Sequence, residues 1–337
     1  MFMATVLITG GTGLVGSRLT QMLVQKGYSV VILTRNPAAH KAQPSVVYKH
    51  WDVERGVIDG SAVADADYII HLAGAGVADK RWSKKRKQEI VDSRTQSSAL
   101  LVKSAEQYTI RLKAVISASG IGWYGPDGKQ RSKNWAGFEE SAPANNDYLG
   151  ETCRLWEESI QPFKKLGKRL VILRTGLALT NKGGFLAEIK KPLQMANIAT
   201  IMGGGDQVVS WIHMDDLCRM YLYALENELL EGVYNAVAPA PVSNKAITLS
   251  LAGHRRHKPF MAIHVPAFVL KLALGEMSVE VLKSTTVSAE HIRKAGFRFL
   301  YPSVEAAMEQ LAAAAEAPED PAPAAADVFK EDEADDN

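Results

Sequence analysis

The sequence has little cysteine, almost no net charge and no long apolar run. Two of its 337 residues are cysteine, which excludes a disulfide framework and favours a reducing compartment. The net charge of +2 indicates no particular charged partner. No run approaches the roughly 18 apolar residues of a membrane-spanning helix, and the N-terminus lacks the basic region and cleavage site of a signal peptide. We therefore expect a cytoplasmic protein with no membrane partner.

Hydrophobic residues, by contrast, are abundant. They make up 47% of the chain, enough for a sizeable core in one large domain or two. The nearly balanced charge is unevenly distributed, because nine acidic residues and one lysine from Glu316 onward give −8 and leave +10 for the remainder. Residues 316–337 are also rich in alanine and proline, so a disordered acidic tail is predicted there. An inert, solvated tail is favoured over an interaction segment.

Short β-branched runs alternate with helical patterns along the first half of the chain. Strands are predicted at 5–10, 28–35, 66–74, 113–120 and 168–176, and helices at 14–27, 81–107 and 149–166. This alternation predicts an α/β fold, a Rossmann-type doubly wound parallel sheet.

The predicted domains follow from where the alternation holds and where it weakens. The dinucleotide-binding Rossmann domain spans 1–176, and its core is expected to receive further strands from 205–240. Alternation weakens after 177, so residues 177–313 are expected to form mainly a smaller, substrate-side region. This region contains a C-terminal helical domain at about 247–313, with an apolar helix at 265–284.

The stretch "TGGTGLVG" places glycines at positions 10, 13 and 16, directly between a predicted strand and a predicted helix. Gly10 permits a tight turn, Gly13 lets the backbone approach a pyrophosphate, and Gly16 lets helix and strand pack closely. The helix N-terminus then offers free N–H groups to a phosphate. The loop therefore predicts a dinucleotide site, whose contacts include Thr12, Leu14 and Val15.

The end of the second predicted strand favours NADP over NAD. An NAD-specific site places a carboxylate there to bind the ribose 2′-hydroxyl, whereas this chain has Thr34, Arg35 and Asn36. A guanidinium suits a 2′-phosphate and gains nothing from a bare hydroxyl. Thr34 and Arg35 are accordingly predicted to bind the cofactor NADP.

Several further segments narrow the class of protein. They are 71–94, 117–125, 153–158, 174–179, 203–217, 235–244 and 265–308. Together with the glycine loop they resemble the extended short-chain dehydrogenase/reductases of the NAD(P)-dependent epimerase/dehydratase superfamily. Within it the chain looks like an atypical subfamily of sugar-nucleotide-epimerase-like proteins, the YfcH-like proteins, whose C-terminal domain has no known function. The resemblance covers roughly residues 4–313.

The resemblance implies further cofactor contacts. Leu72, Ala73 and Gly74 correspond to backbone that passes close to the nicotinamide ribose and adenine side. Arg94, and Glu89 before it on the same predicted helix, look like cofactor contacts in this subfamily. The basic run at 80–87 is interpreted as a solvated helix face or a positive field for a phosphorylated ligand. Nucleic acid is not expected as a partner, because basic stripes and aromatic platforms are lacking.

The superfamily's catalytic pattern, Tyr-x-x-x-Lys, is altered here. The resemblance assigns the tyrosine to Tyr148 and the lysine position to Thr152, while Ser119 corresponds to the serine that binds the substrate oxygen. A neutral threonine cannot lower the pKa of a phenol electrostatically, so Tyr148 is either an acid or an aromatic wall. Arg174, also assigned to cofactor binding, is the expected replacement cation, and Tyr124 is a second phenol nearby.

His213, Asp215 and Asp216 lie close together in sequence, but their spacing suits one metal ion poorly. No metal site is predicted, and Asp215 or Asp216 is expected to cap a helix. Cys153 and Cys218 fall in helical patterns and are expected to be packed rather than nucleophilic.

The leading hypothesis is an NADP-binding oxidoreductase or epimerase-like enzyme acting on an unknown carbonyl or sugar-nucleotide-like small molecule. The alternative is a non-catalytic, NADP-responsive binding or regulatory protein, and nucleic-acid binding through 80–87 is a third, weaker hypothesis. A homodimer is left open alongside a monomer.

Overall fold

The computed structural model describes residues 4–108, 111–128, 135–254 and 259–316. Its strands are β1 (Thr5–Thr9), β2 (Ser29–Thr34), β3 (Val46–Asp52), β4 (Val57–Ile58), β5 (Tyr68–His71), β6 (Ala114–Gly120), β7 (Arg169–Thr175), β8 (Leu177–Leu179), β9 (Ile198–Met202), β10 (Val208–Val209), β11 (Trp211–His213), β12 (Gly232–Ala236), β13 (Val242–Ser243) and β14 (Met261–Val265). Its helices are α1 (Leu14–Gln25), α2 (Gly60–Ala64), α3 (Lys84–Tyr108), α4 (Tyr148–Ile160), α5 (Pro162–Lys165), α6 (Gly184–Ala196), α7 (Met214–Glu226), α8 (Asn244–Gly253), α9 (Ala267–Leu274), α10 (Ser278–Leu282), α11 (Glu290–Lys294) and α12 (Val304–Glu316).

Eight strands form the main sheet in the order β12–β7–β6–β5–β1–β2–β3–β4. All neighbours pair in parallel except β3 and β4, which pair antiparallel. The predicted doubly wound parallel sheet is therefore confirmed. β3 was not predicted, because Lys49 and His50 interrupt its apolar residues and part of the strand is exposed to solvent.

The main sheet is buried on both faces because successive strand residues point to opposite sides. In β1, Val6 and Ile8 pack with residues of α1 and α7 on one face. Leu7 points to the other face and packs with residues of α2, α3 and α5. The carboxyl ends of β1, β5 and β6 therefore meet at one edge, between these two helical layers.

The segment after residue 177 contains more strand than its weak alternation suggested. β12 returns to the main sheet and pairs with β7, whereas β8 and β11 pair with each other outside it. A separate core joins α6, β9, α8 and α12. The acidic tail predicted for 316–337 lies, apart from Glu316 at the end of α12, outside the described residues.

The prediction of one apolar helix at 265–284 is wrong, because this segment is not a continuous helix. β14 ends at Val265, α9 covers 267–274, and a 3-10 turn at 275–277 separates it from α10. Gly275 ends α9 with a φ of 62°, a left-handed conformation that favours glycine. None of the helices in the described ranges is both long and apolar enough to cross a membrane.

Candidate functional site

A cleft of about 430 Å³ opens at the carboxyl edge of β1, β5 and β6. Its walls come from the glycine loop with the start of α1, the segment after β5, α3, the end of β6, the inner face of α4, the end of β7, and α7. The residues that line it are Gly10, Gly13, Leu14, Val15, Gly16, Leu72, Gly74, Gly76, Val77, Arg94, Ala118, Ser119, Gly120, Gly122, Leu149, Thr152, Cys153, Trp156, Thr175, Leu217 and Tyr221. The cleft is thus mostly apolar, and Arg94 is its one cation within the described residues.

The glycine loop has the geometry of a phosphate cradle. Gly10 has a φ of 69°, and a Cβ there would lie 2.9 Å from the backbone of Leu72. A Cβ on Gly16 would lie 2.3 Å from the Gly10 carbonyl oxygen, so only glycine lets α1 begin this close to β1. Gly13 is the N-cap of α1, and no side chain caps the helix. The uncapped N–H groups and the positive end of the helix fit a pyrophosphate.

Thr34 and Arg35 lie at the carboxyl end of β2, outside the residues that line the cleft. Arg35 is exposed and has no hydrogen bond or ion pair within the described residues. Thr34 Oγ1 lies 3.4 Å from His40 Nε2. Thr12, in the glycine loop, is likewise exposed and does not line the cleft.

A buried network under the cleft ties β1 to β5 and α3. Thr9 Oγ1 accepts hydrogen bonds from the backbone N–H groups of Leu72 and Ala73, each at 3.2 Å. The Thr9 hydroxyl donates its own hydrogen bond to His71 Nδ1, at 2.7 Å. Since Ser98 donates its own proton to the Arg94 carbonyl oxygen, it can only accept from His71 Nε2, at 3.1 Å. His71 is therefore a neutral imidazole with its proton on Nε2, and burial lowers its pKa to about 3.

Arg94 is buried in the wall of the cleft, whereas Glu89 is not part of it. Arg94 Nη1 donates to the carbonyl oxygens of Ala75 and Ile90, at 3.0 and 2.9 Å, and its guanidinium stacks 4.8 Å from the Trp156 ring. Glu89 is exposed and forms an ion pair with Arg86 at 2.8 Å. The assignment of Arg94 to the cofactor stays a prediction with a suitable location, and that of Glu89 has no geometric support.

The face of α4 that lines the cleft includes only one of the two positions expected from the Tyr-x-x-x-Lys alignment. Leu149, Thr152, Cys153 and Trp156 line the cleft at the i, i+3, i+4, i+7 spacing of one helix face. Thr152, at the lysine position, therefore lies in the wall, whereas Tyr148 is not among the lining residues. Cys153 is buried, and this burial raises the pKa of its thiol to about 11. The apolar spacing along α4 was the signal in the sequence that identifies this face.

Tyr148 is directed instead toward the start of α3. Its hydroxyl donates to the Lys87 carbonyl oxygen at 3.1 Å, its ring packs edge-on against Trp82 at 4.9 Å, and the Lys87 ammonium lies 5.1 Å from the ring centre. Partial burial raises the pKa of the phenol. Thr152 Oγ1 donates to the Tyr148 backbone oxygen at 2.6 Å. Hydrogen bonding with the Thr152 side chain also lowers the pKa of the phenol, but by less than burial raises it. This geometry favours the aromatic-wall interpretation of Tyr148.

Ser119 lines the cleft, and its hydroxyl donates to Glu157 Oε1 at 2.7 Å. Glu157 is held in turn by Arg174, whose Nε and Nη2 bind the two carboxylate oxygens at 2.7 and 2.9 Å. Ser117 is buried and does not line the cleft. Ser119 therefore donates its hydroxyl proton to Glu157, and its oxygen is left to accept a hydrogen bond from a molecule in the cleft.

Arg174 is not available as a replacement cation. Besides Glu157, it binds the Tyr124 hydroxyl at 2.9 Å and the Glu140 carbonyl oxygen at 3.1 Å, and it stacks 3.6 Å from the Trp123 ring. It is 2% exposed and does not line the cleft. Burial raises the pKa of Tyr124 to about 12, so this second phenol belongs to the same structural network.

The polar cluster at the start of α7 is structural. The N-cap is His213, whose Nδ1 accepts from the Asp215 N–H at 3.1 Å, so the expectation that an aspartate caps this helix is wrong. Asp215 binds Arg18 at 2.7 Å, and the fully buried Asp216 accepts from the backbone of Leu300 and Tyr301. Cys218 is buried, in agreement with a packing role.

Comparison with known families agrees with this arrangement. The model described as the NAD dependent epimerase/dehydratase family matches residues 6–236. A domain of unknown function, DUF1731, matches residues 265–311. The first match spans more than half of the chain, so the chain belongs to the NAD dependent epimerase/dehydratase family, and the resemblance inferred from the motifs is confirmed.

Relatives in bacteria match over almost their whole length. Epimerase family protein SSP1921 of Staphylococcus saprophyticus is 34% identical over 307 residues, which are 90% of this chain and 98% of that protein. Epimerase family protein YfhF of Bacillus subtilis is 34% identical over 312 residues, which are 91% of this chain and 98% of that protein.

Solved structures share the fold. The crystal structure of human epimerase family protein SDR39U1 with NADPH has a TM-score of 0.78 at 26% identity and covers 92% of this chain and 99% of that chain. A UDP-N-acetylglucosamine 4-epimerase from Bacillus cereus has a TM-score of 0.71 at 17% identity, covers 95% of this chain and 99% of that chain, and supports the fold alone.

Proposed function

We propose that the chain binds NADP(H) in this cleft and uses it in an oxidoreductase or epimerase reaction on a small carbonyl or sugar-nucleotide-like molecule. The observation that supports cofactor binding most strongly is the uncapped N-terminus of α1, which opens on the cleft behind Gly10 and Gly16. The NADPH in the structure of the human relative points the same way.

Preference for NADP(H) over NAD(H) rests on Arg35. Residues 34–36 contain no carboxylate to accept a bond from a ribose 2′-hydroxyl, and the exposed Arg35 guanidinium has no partner within the described residues. A guanidinium binds a phosphate through two parallel hydrogen bonds. In this proposal Arg35 therefore discriminates between the two cofactors through the 2′-phosphate.

The substrate side of the proposal rests on Ser119 and the end of β6. The bound cofactor supplies hydride chemistry, and the chain supplies orientation and hydrogen bonding. The Ser119 oxygen can accept a hydrogen bond from a substrate hydroxyl, since the Ser119 hydroxyl already donates its proton to Glu157. Gly120 and Gly122 leave room beside it for the substrate.

A second candidate function is NADP(H)-responsive binding without turnover. The specific observation that favours it is that α4 lines the cleft with Leu149, Thr152 and Cys153, and that the neutral Thr152 stands where the superfamily pattern places a lysine. A thiol whose pKa lies near 11 is a poor proton donor or acceptor at neutral pH.

Cofactor binding is tested by titrating the protein with NADPH and NADH while following tryptophan fluorescence, because Trp156 lines the cleft. We expect saturable NADPH binding at least tenfold tighter than NADH binding. Arg35→Gln should remove most of that preference, whereas Arg55→Gln, a matched exposed arginine, should not. Absence of saturable NADPH binding at millimolar concentration would refute the proposal.

Turnover is tested separately with NADPH deuterated on one face of nicotinamide C4. The labelled NADPH is incubated with a panel of carbonyl compounds, which can accept its hydride, and deuterium in the products is measured by mass spectrometry. NADP⁺ is incubated in parallel with nucleoside-diphosphate sugars, whose hydroxyl-bearing carbons can donate a hydride, and the sugar products are separated to detect epimers. Stereospecific transfer to any carbonyl compound, or epimerisation of any sugar, supports the enzyme and removes the binding-only candidate. Binding without either reaction favours the second candidate.

A further inference from the structure

The carboxyl end of β2 is surrounded by side chains that neither the predicted site nor the cleft includes. Pro37 begins a 3-10 turn directly after β2, and this turn brings His40 back over the sheet. The His40 ring stacks on Tyr48 of β3 with centroids 4.5 Å apart and planes 13° apart. Its Nε2 lies 3.4 Å from Thr34 Oγ1. His40 is therefore fixed beside the residue that precedes Arg35.

The charges around this position are positive or neutral. His50 is the register partner of Thr34 on β3, and Arg35 and Lys41 adjoin Thr34 and His40 in sequence. The carboxylates of the neighbouring segments are engaged elsewhere, since Asp52 pairs with Arg55 and Asp59 pairs with Lys49. Within the described residues, no carboxylate contacts His40 or His50.

We propose that His40 is a second specificity-determining residue that binds the cofactor's 2′-phosphate together with Arg35. The inference rests on the proposed NADP(H) function and extends it. Stacking on Tyr48 fixes the ring, so little conformational entropy is lost when Nε2 binds a ligand. Thr34 Oγ1 supplies a further polar atom at the same point. The ligand class recognised is a phosphomonoester on the adenosine ribose.

The 2′-phosphate separates the role of His40 from a general effect on cofactor binding. NADH has no 2′-phosphate, so loss of the His40 imidazole should weaken NADPH binding and leave NADH binding unchanged.

The test is a set of fluorescence titrations with NADPH, NADH and 2′-AMP. The full-length wild type is compared with His40→Gln, and His50→Gln serves as the control for loss of a neighbouring imidazole. We expect His40→Gln to weaken NADPH and 2′-AMP binding about five- to tenfold and to leave NADH binding unchanged. His50→Gln should change NADPH affinity less than twofold.

Two results would overturn the assignment while leaving NADP(H) binding intact. One is a His40→Gln variant with wild-type affinity for both NADPH and 2′-AMP. The other is an equal loss of affinity in His40→Gln and His50→Gln, which would indicate a diffuse positive field. If wild type does not bind NADPH saturably, the proposed function fails and the role of His40 fails with it.

Discussion

Acid should destabilise this fold through His71, and replacing His71 should remove that part of the pH dependence. His71 is fully buried between Thr9, whose hydroxyl donates to Nδ1, and Ser98, whose hydroxyl accepts from Nε2, and this arrangement fits only the neutral imidazole. Burial is the main cause of its lowered pKa, and the positive charge of Arg94 adds to it. The folded state therefore resists protonation of His71, whereas the unfolded state does not.

The sign and size of the effect follow from the two pKa values. The folded pKa is about 3 and the ordinary value is 6.5, so between these pH values the unfolded state binds more protons. Stability is then fully present above pH 6.5 and is lost as the pH falls through the window toward 3. Each full pH unit inside the window costs about 1.4 kcal/mol. From pH 7.0 to 5.5 the expected loss is about 1.2 kcal/mol.

The assay is urea unfolding of wild type and His71→Gln at pH 7.0 and 5.5. Glutamine does not titrate, so the other histidines contribute equally to both proteins and cancel in the comparison. Wild type should lose about 1.2 kcal/mol more than the variant over this pH interval. If His71→Gln does not fold, the imidazole of wild type can be followed directly by NMR and should remain neutral to pH 5. Equal losses in the two proteins, or an NMR midpoint above pH 5, would show that burial does not hold His71 neutral in the folded protein.

Three further predictions concern the walls of the cleft. Glu157→Gln should cost about 3–5 kcal/mol in urea unfolding because it leaves Arg174 buried without its counter-ion, whereas the exposed Glu158→Gln should cost under about 0.5 kcal/mol; similar costs would contradict this. Gly16→Ala should abolish NADPH binding by fluorescence, since its Cβ would lie 2.3 Å from the Gly10 oxygen, and Gly253→Ala, where no atom lies within 4 Å, should bind normally. Tyr148→Phe should keep NADPH affinity within about twofold and Leu149→Trp should weaken it more than about tenfold, because Leu149 alone of the two lines the cleft; the reverse order would show that α4 is oriented differently.

The elements with strong local signals were predictable from sequence. The strand–glycine loop–helix unit is specified by adjacent residues, because Gly10 must adopt a positive φ and Gly16 must let two backbones meet. β5, β6 and β7 are apolar runs buried on both faces, and their parallel pairing follows from the helices between them.

The parts that were not predictable depend on rotation and on long-range partners. Successive residues along α4 are rotated by about 100° around the helix axis. An alignment that places Tyr148 at the catalytic position therefore differs by only one residue from a helix that turns Leu149 to the cleft. Arg174 seemed available because its partner Glu157 is seventeen residues away, on a different element. His40 gave no motif, because its place beside Thr34 is set by a 3-10 turn and a stacked tyrosine on β3.

A crystal structure of the protein grown with NADPH would show directly where each part of the cofactor binds. We expect the pyrophosphate at the N-terminus of α1, within hydrogen-bond distance of the Gly13–Gly16 backbone. We expect the 2′-phosphate between Arg35 and His40, and the nicotinamide beside Ser119 and Leu149 rather than Tyr148. NADPH bound elsewhere, or bound in this cleft with its 2′-phosphate away from Arg35, would contradict the proposed binding of the cofactor.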